Sequence, residues 1–254
     1  MPPEFAISSL LPETINGLTL GLALLIIFTG ALIQSLIGFG LAVVASPLLY
    51  LVEPDLVPVP VILMGFSIAL LTLLRERSAL EFGGLQYALL GRIPGGILGA
   101  TLLLYAPKPV LGLAIAAIVF VAVALSLCRI SAPVNRLTLF IAGTVSGVFG
   151  TIAAIGGPPM AILLAGKDPN KFRAALSAFF IFSSMIALGI LAVSGLVTSR
   201  HLLWAVLLLP AVVAGYLAAG LLLGRVDKQK TRVATLVLCS LSALLLTLRS
   251  LATL

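Results

Sequence analysis

The chain has 254 residues, of which 61% are hydrophobic and only 9% charged, whereas about a quarter of the residues in a soluble protein are charged. So little polar surface excludes a water-soluble globule. The net charge of +7 comes from Lys and Arg residues that lie between apolar runs, where basic residues mark cytoplasmic loops. No nucleic-acid-binding motif accompanies them, which argues against a nucleic-acid partner.

Eight apolar segments follow one another along the chain, each near or above the ~20 residues that a membrane-spanning helix needs. They cover residues 18–52, 56–74, 85–105, 109–128, 137–166, 172–197, 201–224 and 233–251. Residues 1–17 carry Glu4 and Glu13 and no Lys or Arg, so they lack the basic start of a cleaved signal peptide. We expect an extramembrane segment over residues 1–17, followed by an all-α integral membrane protein of the inner membrane.

Two of these segments are interrupted by glycine and proline, which unwind helices. The first, residues 18–52, is interrupted at Gly38-Phe39-Gly40 and at Ser46-Pro47; the second, residues 137–166, is interrupted at Gly150 and at Gly156-Gly157-Pro158-Pro159. An offset of 112 aligns Gly38 with Gly150 and Pro47 with Pro159, and an offset of 116 aligns Pro94 with Pro210. We therefore predict two repeats, residues 18–130 and 131–254, each a broken or re-entrant helical segment plus three transmembrane helices.

The basic residues bear on the orientation of these repeats. If all eight segments cross the membrane, the basic residues divide almost evenly between the two faces. If the broken segments are instead re-entrant hairpins, eleven of the fifteen share one face, as cytoplasmic loops require, and the two repeats become inverted. Those eleven are Arg75, Arg77, Arg129, Arg136, Lys167, Lys171, Arg173, Arg225, Lys228, Lys230 and Arg232.

The two breaks are the candidate substrate site. A helix that begins inside the membrane presents unpaired N–H groups and the positive end of its dipole to an anion, and glycine lets the backbone approach a ligand. Ser35 and Ser146 are further candidate hydroxyl donors. The alternative is that these glycines only permit close helix packing. The predicted substrate-binding residues are Gln34, Gly38, Gly40, Ser46, Pro47, Arg92, Gly150, Thr151, Gly156, Gly157 and Pro158.

Arg92 is the basic residue that lies well inside an apolar run, LQYALLGRIPGGILG. A charge at that depth indicates a functional site. However, Arg92 is about two turns from the start of its segment, so its side chain has the alternative of snorkelling to the membrane surface. The sequence leaves both interpretations open.

The acidic residues fall in predicted loops, and His201, the single histidine, opens a segment at the interface, where a solvated or capping role is favoured over proton coupling. An enzyme acting on a lipid phosphate would need a general acid or base or metal-binding carboxylates near the membrane. We therefore expect a secondary transporter, not an enzyme, with no cofactor and no bound metal. An anion channel is the alternative.

Two stretches, GFGLAVVASPLLYLVEPDLVPVPVILM and GTIAAIGGPPMAILLAGKDPNKFRAALSAFF, together with RIPGGILGATLLL and LPAVVAGYLAAGLLL, resemble the repeated motifs of the sulfite exporter TauE/SafE family over residues 18–250. The first stretch is poorer in glycine than is usual in that family. The resemblance implies a permease for sulfite, sulfoacetate or a related organosulfonate, embedded in a lipid bilayer. A homodimer is one of the oligomeric states that it leaves open.

Overall fold

The computed structural model describes residues 16–80, 83–127, 133–166, 168–222 and 228–253. Within these ranges the chain forms ten α-helices and no strand. The predicted extramembrane segment 1–17 therefore lies almost wholly outside the described residues. The helices are α1 (Gly17–Ile37), α2 (Leu41–Val52), α3 (Val59–Glu76), α4 (Leu85–Tyr105), α5 (Lys108–Leu127), α6 (Arg136–Ala153), α7 (Gly157–Leu163), α8 (Pro169–Val193), α9 (Ser199–Leu222) and α10 (Lys228–Leu251).

Eight of these helices are long and apolar enough to cross a membrane, whereas α2 and α7 have only 12 and 7 residues. At 1.5 Å per residue, neither short helix reaches across the ~30 Å hydrocarbon core. The prediction of an all-α, multi-pass membrane protein is confirmed. Each short helix directly follows a long one, at the two places where the sequence predicts a break.

The first break separates α1 from α2. Gly38 ends α1 with a φ of 104°, and Gly40 precedes α2 with a φ of 132°, a region that residues with a Cβ rarely adopt. The second predicted interruption, Ser46-Pro47, is wrong, because Pro47 lies inside α2 without ending it. Within a membrane bundle, neighbouring groups compensate for the hydrogen bond that a proline removes.

The second break separates α6 from α7. The prediction that Gly150 interrupts this segment is wrong, because α6 continues through Gly150 to Ala153, and Ala154 makes the turn with a φ of 60°. Pro158 lies in the first turn of α7, where its missing N–H has no helical partner to lose. It therefore starts this helix rather than breaking one.

The alignment at an offset of 112 is therefore wrong at the breaks, because Gly38 ends a helix and Gly150 lies inside one. The two helix ends, Gly38 and Ala154, are 116 positions apart, and so are Gly40 and Gly156, the residues that precede the short helices. This is the offset that aligns Pro94 with Pro210. The same spacing of 116 positions thus separates the two breaks and the two prolines.

One end of the bundle, called the first end here, brings together the end of α2 and the starts of α5 and α9. Arg200 pairs with Asp55, at 3.0 Å between Nη1 and Oδ2, and with Glu53 at 3.9 Å between Nη2 and Oε2. The Tyr50 hydroxyl donates to the carbonyl oxygen of Lys108 at 2.7 Å. The chain therefore leaves α2 at the first end.

The opposite end, called the second end, brings together the ends of α1 and α3 and the start of α8. Arg173 donates from Nε and Nη2 to Oε1 of Glu76, at 3.1 and 2.9 Å. Arg75 donates from Nη2 to the carbonyl oxygen of Ser35 at 3.2 Å. Since α1 approaches the second end and α2 returns to the first, the chain reverses direction at the first break.

The start of the second broken segment lies beside the start of α4. Arg136, at the start of α6, lies over the ring of Tyr87 near the start of α4, 5.4 Å from the ring centroid. α4 runs alongside α6 in the same direction, so that Gly91 and Gly95 approach the backbone of Phe140 and Thr144 too closely for a Cβ. Glycine at these places permits close packing. It brings the intervening turn of α4 against α6.

Candidate functional site

A cavity lies between the two breaks, with α3, α4 and α8 completing its wall. It is lined by Gln34, Phe39, Gly40, Ala42, Val43, Val61, Ile62, Gly65, Arg92, Gly150, Ala154, Ile155, Gly156, Gly157, Phe180, Ser183 and Ser184. Six of the eleven predicted site residues are among them: Gln34, Gly40, Arg92, Gly150, Gly156 and Gly157. The structure thus brings both breaks and the intramembrane arginine to one place.

Arg92 points into the bundle. Its residue surface is only 3% exposed, so the alternative in which its side chain snorkels to the membrane surface is wrong. Nε donates to the carbonyl oxygen of Ser183 at 3.4 Å, and Nη1 donates to the carbonyl oxygen of Ser146 and to its hydroxyl, the latter at 3.0 Å. Among the described residues no carboxylate pairs with Arg92. A positive charge is therefore held inside the bundle by neutral groups.

Gly150 and Gly156 make room for this guanidinium. A Cβ on Gly150 would lie 2.3 Å from Nη2 of Arg92, and a Cβ on Gly156 would lie 2.9 Å from Nη1 and equally close to the hydroxyl of Ser146. That hydroxyl donates to the carbonyl oxygen of Gly156 at 2.6 Å. The second break and the arginine are consequently one packed unit, and neither glycine can be replaced without moving the charge.

Gln34 ties the first break to the same cavity. Its Oε1 accepts from the backbone N–H of Leu41, the first residue of α2, at 3.2 Å. The sequence predicts that the N–H groups at the start of α2 are unpaired. This prediction is wrong for the first of them, the N–H of Leu41. Nε2 of Gln34 forms no hydrogen bond with the part of the chain that the structure describes. An amide donor remains at the cavity wall.

The structure adds site residues that the sequence reasoning missed. Ser183 and Ser184 line the cavity, and their hydroxyls form no hydrogen bond among the described residues. Their signal in the sequence is a pair of adjacent serines within an apolar span, FFIFSSMIALG. Gly65 is a second omission, and it is a lone glycine within VILMGFSIALL. From the sequence alone, neither signal shows whether the residue lines a cavity or packs against another helix.

The five other predicted residues lie outside the cavity wall. Gly38 packs against Arg173, because a Cβ added to this glycine would lie 3.0 Å from Cγ of the arginine. The hydroxyl of Ser46 donates to the carbonyl oxygen of Ala153 and joins α2 to the end of α6. The hydroxyl of Thr151 is buried and has no hydrogen-bond partner among the described residues. Pro47 and Pro158 are helix residues.

The cavity is lined by both polar and apolar side chains. Arg92, Gln34 and the two serines supply N–H and O–H donors, and no carboxylate is among the described lining residues. Val61, Ile62 and Gly65 share one face of α3 because their spacing is that of successive helical turns. They line the cavity together with the aromatic residues Phe39 and Phe180. Such a site suits a small anion that carries an apolar group.

A model of the family described as "Sulfite exporter TauE/SafE" matches residues 22–246. This range includes every cavity-lining residue and all of the described helices in part or in whole. No curated protein and no solved structure matches the chain.

Proposed function

This chain belongs to the sulfite exporter TauE/SafE family, and we propose that it is a secondary transporter that moves sulfite or an organosulfonate across the inner membrane. The family implies a membrane transporter of sulfite or related anions. The observation that carries the finer proposal is Arg92, a buried arginine that has no carboxylate partner among the described residues and lines a cavity between the two breaks.

The charge of Arg92 favours an anion as the ligand. An arginine remains protonated in proteins, and removing a charge from water costs several kcal/mol even after the surroundings relax. Hydrogen bonds to Ser146 and Ser183 offset part of this cost. An anion in the cavity offsets the remainder, because its attraction to the guanidinium is weakly screened in a low-dielectric site.

The donors around the cavity suit a sulfur oxyanion. The oxygens of sulfite or a sulfonate accept hydrogen bonds in several directions, and the guanidinium fork matches paired oxygens. Nη2 of Arg92, Nε2 of Gln34 and the hydroxyls of Ser183 and Ser184 supply the donors. We assign the backbone of Gly40, Gly150, Gly156 and Gly157 the role of a close-approach surface beside them.

Alternating access follows from the proposed relation between the halves. We propose that residues 18–130 and 131–254 are inverted repeats, with the first break entering from the first end and the second break from the second end. The second end carries Arg75, Arg77, Arg136 and Arg173 and is the cytoplasmic one by the bias of basic residues. The eleven basic residues predicted to share one face also include Arg129, Lys167 and Arg225, which lie outside the described residues. Rocking of one half against the other would then expose the cavity to each side in turn.

Counterflow separates the proposed carrier from the alternatives. Proteoliposomes loaded with unlabelled anion are diluted into radiolabelled sulfite, sulfoacetate, taurine or sulfate, and transient accumulation of label is measured. A carrier saturates and shows counterflow, whereas an anion channel gives unsaturable flux without it. An enzyme acting on a lipid phosphate gives neither. Absence of exchange for all four compounds would refute the proposed substrate class.

A variant of the second break tests whether the break contacts the path. Replacing Gly157 by Leu places a side chain against Phe180 and Phe39, since even a Cβ would lie 3.1 and 3.3 Å from them. We expect transport to be lost while the protein remains inserted and folded. Gly189→Leu is the matched control, because a Cβ on this exposed glycine of α8 meets nothing within 4 Å.

A further inference from the structure

Gly65 is a glycine in the middle of α3 without a packing reason. A Cβ built on it meets no atom within 4 Å, and its backbone is helical, so neither close contact nor a positive φ requires glycine there. Glycine in a helix interior is a poorer helix former than alanine. A side chain at this position would therefore extend into open space.

That space belongs to the cavity. Gly65 lines it together with Val61 and Ile62 on the same face of α3. α3, which contains Gly65, and α4, which contains Arg92, both pack on α8 and both line this cavity. The cavity that contains Arg92 therefore also presents aliphatic and aromatic side chains to an apolar group on a bound anion.

We propose that Gly65 is a specificity-determining residue that sets the length of the organic group carried on the transported anion. The proposal rests on the function proposed above and deepens it. Without a side chain at this position, the cavity accepts an alkyl tail beside the sulfonate head. A methyl or larger group at residue 65 occupies the volume of the tail and leaves the head group's contacts with Arg92 in place.

The test uses alkanesulfonates from methanesulfonate to butanesulfonate, with sulfite as the anion that has no tail. Burying one methylene raises affinity about fourfold, the ratio that corresponds to ~0.8 kcal/mol. We expect affinity for the full-length protein to rise by about this factor per methylene until the tail reaches the end of the cavity. Isothermal titration calorimetry in detergent measures binding, and competition against counterflow of labelled sulfite measures transport.

Gly65→Ala should remove the gain from about one methylene, and Gly65→Val should lower the ratio of butanesulfonate to sulfite affinity about tenfold or more. The alanine variant protects the test against misfolding, since alanine favours the helix and its Cβ meets open space. Gly189→Val is the control, because this glycine is equally free of contacts but exposed on α8 outside the cavity. Its ratio should equal that of the unaltered protein.

A ratio that changes less than about threefold in Gly65→Val, or that falls equally in Gly189→Val, overturns the assignment. A second outcome is that the protein shows no counterflow but binds longer tails more tightly, and that Gly65→Val loses this dependence on tail length. This result would refute transport and support the role of Gly65. If counterflow occurs and the ratio of butanesulfonate to sulfite affinity is the same in Gly65→Val as in the unaltered protein, transport is supported and the role of Gly65 is refuted. Failure of the unaltered protein to bind any of these anions would overturn both.

Discussion

Replacing Arg92 by Gln should weaken anion binding strongly without unfolding the protein. At a separation of about 4 Å and an effective dielectric constant of about 20, the attraction between the guanidinium and an anion is roughly 4 kcal/mol. Since about 1.4 kcal/mol corresponds to a factor of ten, loss of the charge should weaken sulfite binding by about 100- to 1,000-fold. Glutamine retains an amide that can donate to the oxygens of Ser146.

The stability of the same variant should change little or rise. The variant loses hydrogen bonds to Ser146 and Ser183, each worth roughly 1.5–3 kcal/mol when a charged group takes part. It also removes a buried charge that pairs with no carboxylate in the described part of the chain, and the cost of burying such a charge is several kcal/mol. These two contributions are of similar size and opposite sign.

Arg173→Gln is the matched contrast. Arg173 is also buried, with its side chain 7% exposed, but it pairs with Glu76, whose side chain is 11% exposed. Breaking a buried pair leaves a carboxylate uncompensated and costs about 3–5 kcal/mol, reduced here because Arg75 also lies 3.3 Å from the same Oε1. We expect the melting temperature of this variant to fall clearly.

Thermal unfolding in detergent and titration with sulfite, performed on both variants, check this reasoning. The expected pattern is loss of binding with retained stability for Arg92→Gln and loss of stability for Arg173→Gln. If Arg92→Gln melts as early as Arg173→Gln while its affinity stays within about tenfold of the original, then Arg92 is a structural residue and the anion site lies elsewhere.

Three further predictions concern the glycines, the hydroxyls and the topology. Gly150→Ala should displace the buried guanidinium and lower anion affinity at least about tenfold, whereas Gly189→Ala should not; both are compared by titration with sulfite. Ser184→Ala should weaken binding by about two- to tenfold, the equivalent of one hydrogen bond of 0.5–1.5 kcal/mol, with an unchanged melting temperature. On a cysteine-free background, Arg77→Cys and Lys228→Cys should react with an impermeant thiol reagent from the same face of the membrane. Reaction from opposite faces would refute the inverted arrangement.

The location of the membrane spans and of the breaks could be predicted from the sequence. Both are local properties: a window of about 20 apolar residues predicts a span, and Gly38-Phe39-Gly40 and Gly156-Gly157 interrupt the two windows that contain them. The same reasoning failed for Pro47 and Gly150, which lie inside helices. Whether such a residue ends a helix depends on the groups that surround it, and these come from distant parts of the chain.

Which side chains meet at the site was decided by the tertiary structure alone. In a helix that is apolar all round, no polar face indicates which side points inward, so the sequence left Arg92 equally able to reach the lipid surface. Packing of α4 on α6 turned it toward Ser146 and Ser183. The same packing brought Gly150 and Gly156 against the guanidinium and left Ser46 and Thr151 outside the cavity. Hydropathy specifies how deep a residue lies, whereas only the contacts between helices specify the direction in which it points.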